Sequence, residues 1–173
     1  MTVNFYNEVW VIDHSTTTEE AASSTGGNYG LGGDLVYRFG NPLAYDNVGE
    51  VSLNRVHYPN LFDGNKMLVF VNNKYDGQSA VVEYELSPPY ELVAGQDNEP
   101  SITWEFTDSD LYSNGLGSGV RMSNGNTLIS EGTGTIWEVN SSGDVLWKYT
   151  DFNRPWRAYA FTVDDEAITA LGL

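Results

Sequence analysis

The chain reads as all-β, a partial β-propeller of about three four-stranded antiparallel blades. Three observations predict this. Eighteen glycines against three methionines in 173 residues favour tight turns over helices. Short runs of alternating apolar and polar residues recur, bounded by Gly, Asn, Asp and Ser. One order of such runs is written more than once, with aromatic residues at matching points.

The elements follow in chain order. EVWVID and DLVYRFGN read as the third and fourth strands of one blade, 1–48. Between them, His14 to Gly33 is a polar insertion ending in glycines, where Thr17 or Thr18 N-caps a short helix through Glu19, Glu20 and Ala22. Residues 49–110 read as a full blade built from RVHYPN, GNKMLVFVNN, SAVVEYEL and SITWEFTD. Pro88 to Pro100 is the surface connection between its third and fourth strands. Residues 111–151 repeat the order as GVRMS, NTLIS, TIWEV and VLWKY, with Asn124-Gly125 and SSGD supplying hairpin turns. Residues 152–173 then open another unit, with WRAYAFTV and EAITAL as its first two strands. VVEYEL aligns with TIWEVN, and ITWEFTD with VLWKYTD, so Trp104 matches Trp147. Trp10, Trp104, Trp137 and Trp147 are expected in the core between neighbouring sheets. The alternative is an ordinary β-sandwich whose hairpins are alike by chance.

Composition narrows the function classes. The formal net charge of -16 argues against nucleic acid, which needs basic side chains to displace its counterions, and against an anionic membrane surface. A solubility surface is the plain reading of that charge. There is no cysteine, so disulfides, thiolate metal sites and a cysteine nucleophile are excluded. No apolar run is long enough to cross a bilayer, and MTVNFYNEVW lacks the pattern of a signal peptide. An exported protein would carry its signal outside this sequence, placing it in the periplasm or the extracellular medium; the compartment is otherwise open. No phosphate-cradling loop follows a strand and opens a helix, and the carboxylates form no acid/base pair. Asp108, Asp110 and Asn114 have part of the spacing of a calcium loop without the rest, so they read as a polar loop. No cofactor and no metal is expected.

NEVWVIDHSTTTEEAAS with GGNYGLGGDLVYRFGNP, then GNKMLVFVNN, RMSNGNTLISEG and WRAYAF, resemble the arylsulfotransferase family, from about Asn7 to Phe161. The most specific piece is VIDHSTTTEEAA followed by GGDLVYRFGNP. The resemblance implies a six-bladed ring, of which this chain holds about three blades as the C-terminal part. It implies sulfuryl transfer from an aryl sulfate to a phenolic acceptor through a sulfated histidine, without a nucleotide donor. The expected partners are therefore a small aryl sulfate and a phenol. A fragment of the ring is expected to have weak or no activity alone, and its open blade edges to self-associate. The competing expectation is a non-enzymatic propeller module that binds a protein or a small anion.

Sulfuryl transfer needs a nucleophile and positive donors for the sulfonate oxygens. The inventory is two histidines and eight Lys or Arg. His57, on a first strand expected to line the central channel, is the catalytic candidate; the other reading is a half-buried histidine with backbone partners. The family's nucleophile position falls on Asn54, three residues before His57, a departure from the pattern that favours the binding module. Arg121, on the next first strand, is the second catalytic candidate, facing the same channel or else paired with a carboxylate. Arg157, in the following first strand, is a substrate-binding candidate, as are Asn54, Lys74 and His14. Lys74 lies where the family tends to have arginine, or is a solvated turn lysine. His14 belongs to the family-like stretch and orders the insertion together with Asp13.

Overall fold

The computed structural model describes residues 1–150 and 153–172, and among them eleven strands form three antiparallel sheets. The first holds β1 (Thr2–Val3), β2 (Glu8–Ile12) and β3 (Leu35–Phe39) in that order. The second holds β4 (Val56–Phe62), β5 (Lys66–Tyr75), β6 (Gln78–Glu85) and β7 (Ser101–Thr107). The third holds β8 (Ser118–Arg121), β9 (Thr127–Glu131), β10 (Thr135–Val139) and β11 (Val145–Tyr149). Each is a meander of sequence neighbours, the connection that short Gly and Asn turns permit. The proposed boundary at 151/152 lies outside the described residues.

The sheets stack face to face in chain order, and β5 shows why its sequence reads as it does. Met67, Val69 and Val71 enter a core shared with the first sheet, with Val9, Tyr37 and Phe39. Leu68 and Phe70 enter a core shared with the third sheet, with Ile129, Trp137 and Val139. A strand covered on both faces must be apolar at every position, so MLVFV shows no alternation. The second and third sheets approach closely at β8. A Cβ on Gly119 would sit 2.6 Å from Val81 Cγ1, and one on Gly117 would sit 2.5 Å from the Phe70 ring. Glycine at these positions lets the backbone reach that distance.

All three sheets carry the same irregularity. The outermost ladder shifts register after Val11↔Tyr37, after Glu83↔Trp104 and after Glu138↔Trp147. The next pairs are Ile12↔Leu35, Tyr84↔Ile102 and Val139↔Val145, so the extra residue is Val36, Thr103 or Leu146, always on the outer strand.

The His14–Gly33 insertion is ordered by Asp13, whose carboxylate accepts from the Ser15 N–H and hydroxyl and from the Tyr29 N–H. Those bonds hold it below the ordinary carboxylate range. Thr17 caps α1 (Thr18–Ala21) in a reciprocal capping box with Glu20. The Pro88–Pro100 connection is sewn to the first sheet: the Tyr37 hydroxyl donates to the Asn98 carbonyl, and the Gly40 N–H donates to Glu99 Oε2 at 2.7 Å. Burial pushes the Glu99 carboxyl up to about 7, and its other oxygen, Oε1, is buried without a partner.

The C-terminal stretch corrects the sequence reading. EAITAL forms the helix α2 (Glu166–Ala170) rather than a strand. WRAYAFTV has no regular secondary structure and joins no sheet among the described residues. It is tethered by the Ser130 hydroxyl to the Pro155 carbonyl at 2.5 Å and by Tyr58 to Tyr159 at 3.0 Å. With no strand beside it, a short Glu- and Ala-containing segment satisfies its backbone internally as a turn of helix. Tryptophan placement also differs. Trp137 is core, Trp10 and Trp104 are half-buried, and Trp147 is exposed, since no further sheet covers the third sheet's outer face among the described residues.

Candidate functional site

Val56, at the start of β4, is sealed in the first core, and alternation turns His57 to the other side. There it meets Asn72 on β5, a buried amide at the end of an apolar run. The Asn72 amide nitrogen donates to the carbonyls of Ser113 (2.9 Å) and Leu116 (2.7 Å). Only its oxygen is left for the imidazole, and Oδ1 lies 2.5 Å from His57 Nδ1. An amide oxygen only accepts, so in the neutral ring Nδ1 carries the proton and the lone pair lies on Nε2. Among the described residues Nε2 makes no hydrogen bond.

His57 lines a cleft of about 510 Å³ with Asn4, Asn7, Asn54, Arg55 and Asn114. Two further clefts share Asn54: one of about 320 Å³ with Arg55, Asn72 and Asn73, and one of about 200 Å³ with Asn7, Asn73 and Lys74. No Asp or Glu lines any of the three. In a chain with 24 acidic residues, this is a zone from which negative charge has been kept away. Arg55 is exposed there, held at φ 54° with its N–H donating to Asn7 Oδ1 at 2.8 Å. Its guanidinium has no ion pair among the described residues.

The other candidates lie elsewhere or are engaged. Arg121 is not brought to His57. Its guanidinium pairs with Glu83 at 2.6 Å, bonds the Thr127 hydroxyl at 2.6 Å and stacks 4.6 Å over Trp104. It lines a separate cleft of about 490 Å³ with Phe62, Lys66, Glu83 and Trp104. The reason is the strand period: Arg121 shares the face of β8 that Gly119 presses against β6. Burial alone would raise the Glu83 carboxyl, but bonds from Thr103, Arg121 and Lys66 bring it below its ordinary value. Arg157 lies 4.8 Å over the ring of Tyr58, the neighbour of His57, and lines none of the carboxylate-free clefts. Burial and donation to Tyr159 push the Tyr58 hydroxyl up to about 12. Lys74 is not a solvated turn residue. It sits within β5, donates to the Ser52 carbonyl at 3.2 Å and lies 3.7 Å from Glu105, while lining the smallest cleft. His14 is exposed and lines none of these clefts; the side-chain bonds that order the insertion come from Asp13, Ser15 and the Thr17–Glu20 pair.

Two residues went unnoticed in the sequence. Arg55 stands beside Asn54 with no motif around it. Asn72 carried a readable signal, a polar residue closing the buried run MLVFV. The arrangement can bind an oxyanion and present an unprotonated imidazole nitrogen to it. No protein-family model, no curated protein and no solved structure matches this chain.

Proposed function

We propose that the three sheets are successive blades of a β-propeller and that the chain is an arylsulfotransferase-like protein. What supports the blade reading is the shared four-strand meander, the face-to-face stacking in chain order, and the bulge at one common point of each outer ladder. The single observation that carries the functional reading is the carboxylate-free zone with His57 oriented inside it.

In this reading the sulfonate oxygens sit against Arg55 and the asparagine amides. The Nε2 lone pair of His57 forms an N–S bond while the aryl S–O bond breaks and the phenolate leaves. A phenol oxygen then takes the sulfuryl group, loses its proton to solvent, and returns His57 to its starting state. Asn72 holds Nδ1–H through both steps, so the ring stays in the tautomer that can attack.

Incubation with 4-nitrophenyl sulfate and a phenol tests this. Nitrophenol release that is lost in His57→Ala, but kept in His14→Ala, is the expected result. A second reading has its own support. Asn54 occupies the position where the resemblance puts the nucleophile, and Arg121 is neutralised by Glu83. Sulfate binding that Arg55→Ala abolishes, with no nitrophenol released by any form, would establish an anion-binding module instead.

A further inference from the structure

The cleft of about 320 Å³ that adjoins the His57 cleft is lined by Asn54, Arg55, Asn72, Asn73, Tyr112 and Asn114. Asn72 is committed to Ser113, Leu116 and His57. The side chains of Asn54, Asn73 and Asn114, by contrast, make no hydrogen bond among the described residues. The Tyr112 side chain is 45% exposed, and neither its ring nor its hydroxyl has a partner among the described residues. An open aromatic face therefore stands among three amides, each with a donor and an acceptor to offer.

The backbone beneath these groups is fixed. The Asn72 and Asn73 N–H groups donate to the Arg55 and Asn54 carbonyls at 3.1 and 3.4 Å, which sets Asn54 across from Asn73. Tyr112 and Asn114 flank Ser113, which is 0% exposed. The Ser113 N–H donates to Ser79 Oγ at 2.9 Å, its hydroxyl donates to the Gly115 carbonyl at 2.7 Å, and its carbonyl accepts from the Asn72 amide. With Leu111 and Ser113 anchored inside, Tyr112 and Asn114 are turned out to solvent. A backbone ordered in advance lowers the cost of binding. The groups it presents suit a sugar. A hydroxyl both donates and accepts, and one amide can meet two neighbouring hydroxyls, through its oxygen and its nitrogen. The C–H face of a pyranose ring packs against the negative face of an aromatic ring.

We propose that this cleft is a saccharide subsite, with one sugar ring on the Tyr112 face and its hydroxyls on Asn54, Asn73 and Asn114. The cleft shares Asn54, Arg55 and Asn114 with the His57 cleft, so a ligand seated in one extends into the other. The sulfuryl acceptor is then a phenol that carries a sugar. Its phenol oxygen forms the O–S bond as the N–S bond to His57 breaks, and its proton goes to solvent. The identity of the acceptor rests on the sulfuryl-transfer reading, whereas the saccharide contact rests on the cleft alone.

The probes are the 4-hydroxyphenyl β-glycosides of glucose, galactose, mannose and N-acetylglucosamine, with 4-methoxyphenol as the phenol that lacks a sugar. Calorimetry on the unmodified chain, with no sulfate donor present, measures binding alone. At least one glycoside is expected to bind about tenfold tighter than 4-methoxyphenol, a gain that one or two net hydrogen bonds supply. Tyr112→Ala and Asn73→Ala, both at exposed positions and each checked for native circular dichroism, are expected to remove that gain. With 4-nitrophenyl sulfate as donor, KM for the favoured glycoside is expected to fall below that for 4-methoxyphenol in the same proportion. No preference for any glycoside, or a preference that either variant keeps, would overturn the proposal. Failure of the sulfuryl-transfer reading is distinguishable. A glycoside preference without nitrophenol release leaves the subsite standing and removes the transfer, while release with no glycoside preference does the reverse.

Discussion

Asn72 decides which nitrogen of His57 is available, and it does so because two backbone carbonyls claim its amide protons. Asn72→Ala leaves the His57 Nδ1–H without a partner and takes one donor from each of the Ser113 and Leu116 carbonyls, so urea unfolding should show a loss of about 1–3 kcal/mol. The two arginines separate binding from stability. Arg55→Ala, at an exposed and unpaired position, should weaken sulfate binding in calorimetry and change stability by no more than about 0.5 kcal/mol. Arg121→Ala removes the principal partner of a buried carboxylate, so it should cost on the order of 3 kcal/mol and leave sulfate affinity unchanged. Glu99 predicts a pH dependence. Its folded value near 7 stands above the ordinary 4.5, so the native state binds the proton more tightly. Its contribution is complete below about pH 4.5 and is lost as pH rises through 7. Thermal melts of Glu99→Gln against the unmodified chain should therefore differ in slope across that window, with the variant flatter.

At the scale of elements, strand order was legible because alternation, turn residues and the doubly buried run of β5 are local signals. RVHYPN, GNKMLVFVNN, SAVVEYEL and SITWEFTD became β4 to β7, and of the two caps read for the short helix, Thr17 and Thr18, Thr17 is the one that caps it. What failed depends on neighbours. EAITAL would make a strand only against a partner strand, and without one it is helical. The alignment of VVEYEL with TIWEVN was off by one residue, since the bulges pair Glu83 with Glu138. Such a slip turns every side chain to the other face. The site was half legible for the same reason. His57 was found from its place on β4, but the orientation of Arg121 depends on which face of β8 meets β6. Packing at that interface is measurable. Phe106→Ala, in the core shared with Trp137, should cost about 3–5 kcal/mol in urea unfolding.

At the scale of the whole molecule, a formal charge of -16 on each copy opposes association. Screening should relieve it, because the Debye length falls from about 30 Å at 0.01 M salt to about 3 Å at 1 M. Sedimentation across that range should show self-association strengthening as salt rises; the reverse trend would mark contacts held by charge pairs. The outer strands raise a different question, since an exposed strand margin invites fibrous aggregation. Val36, Thr103 and Leu146 each interrupt the spacing of donors and acceptors along that margin. A foreign strand arriving there finds no continuous in-register template, so the rim of the molecule resists amyloid-type growth even where its side chains are apolar.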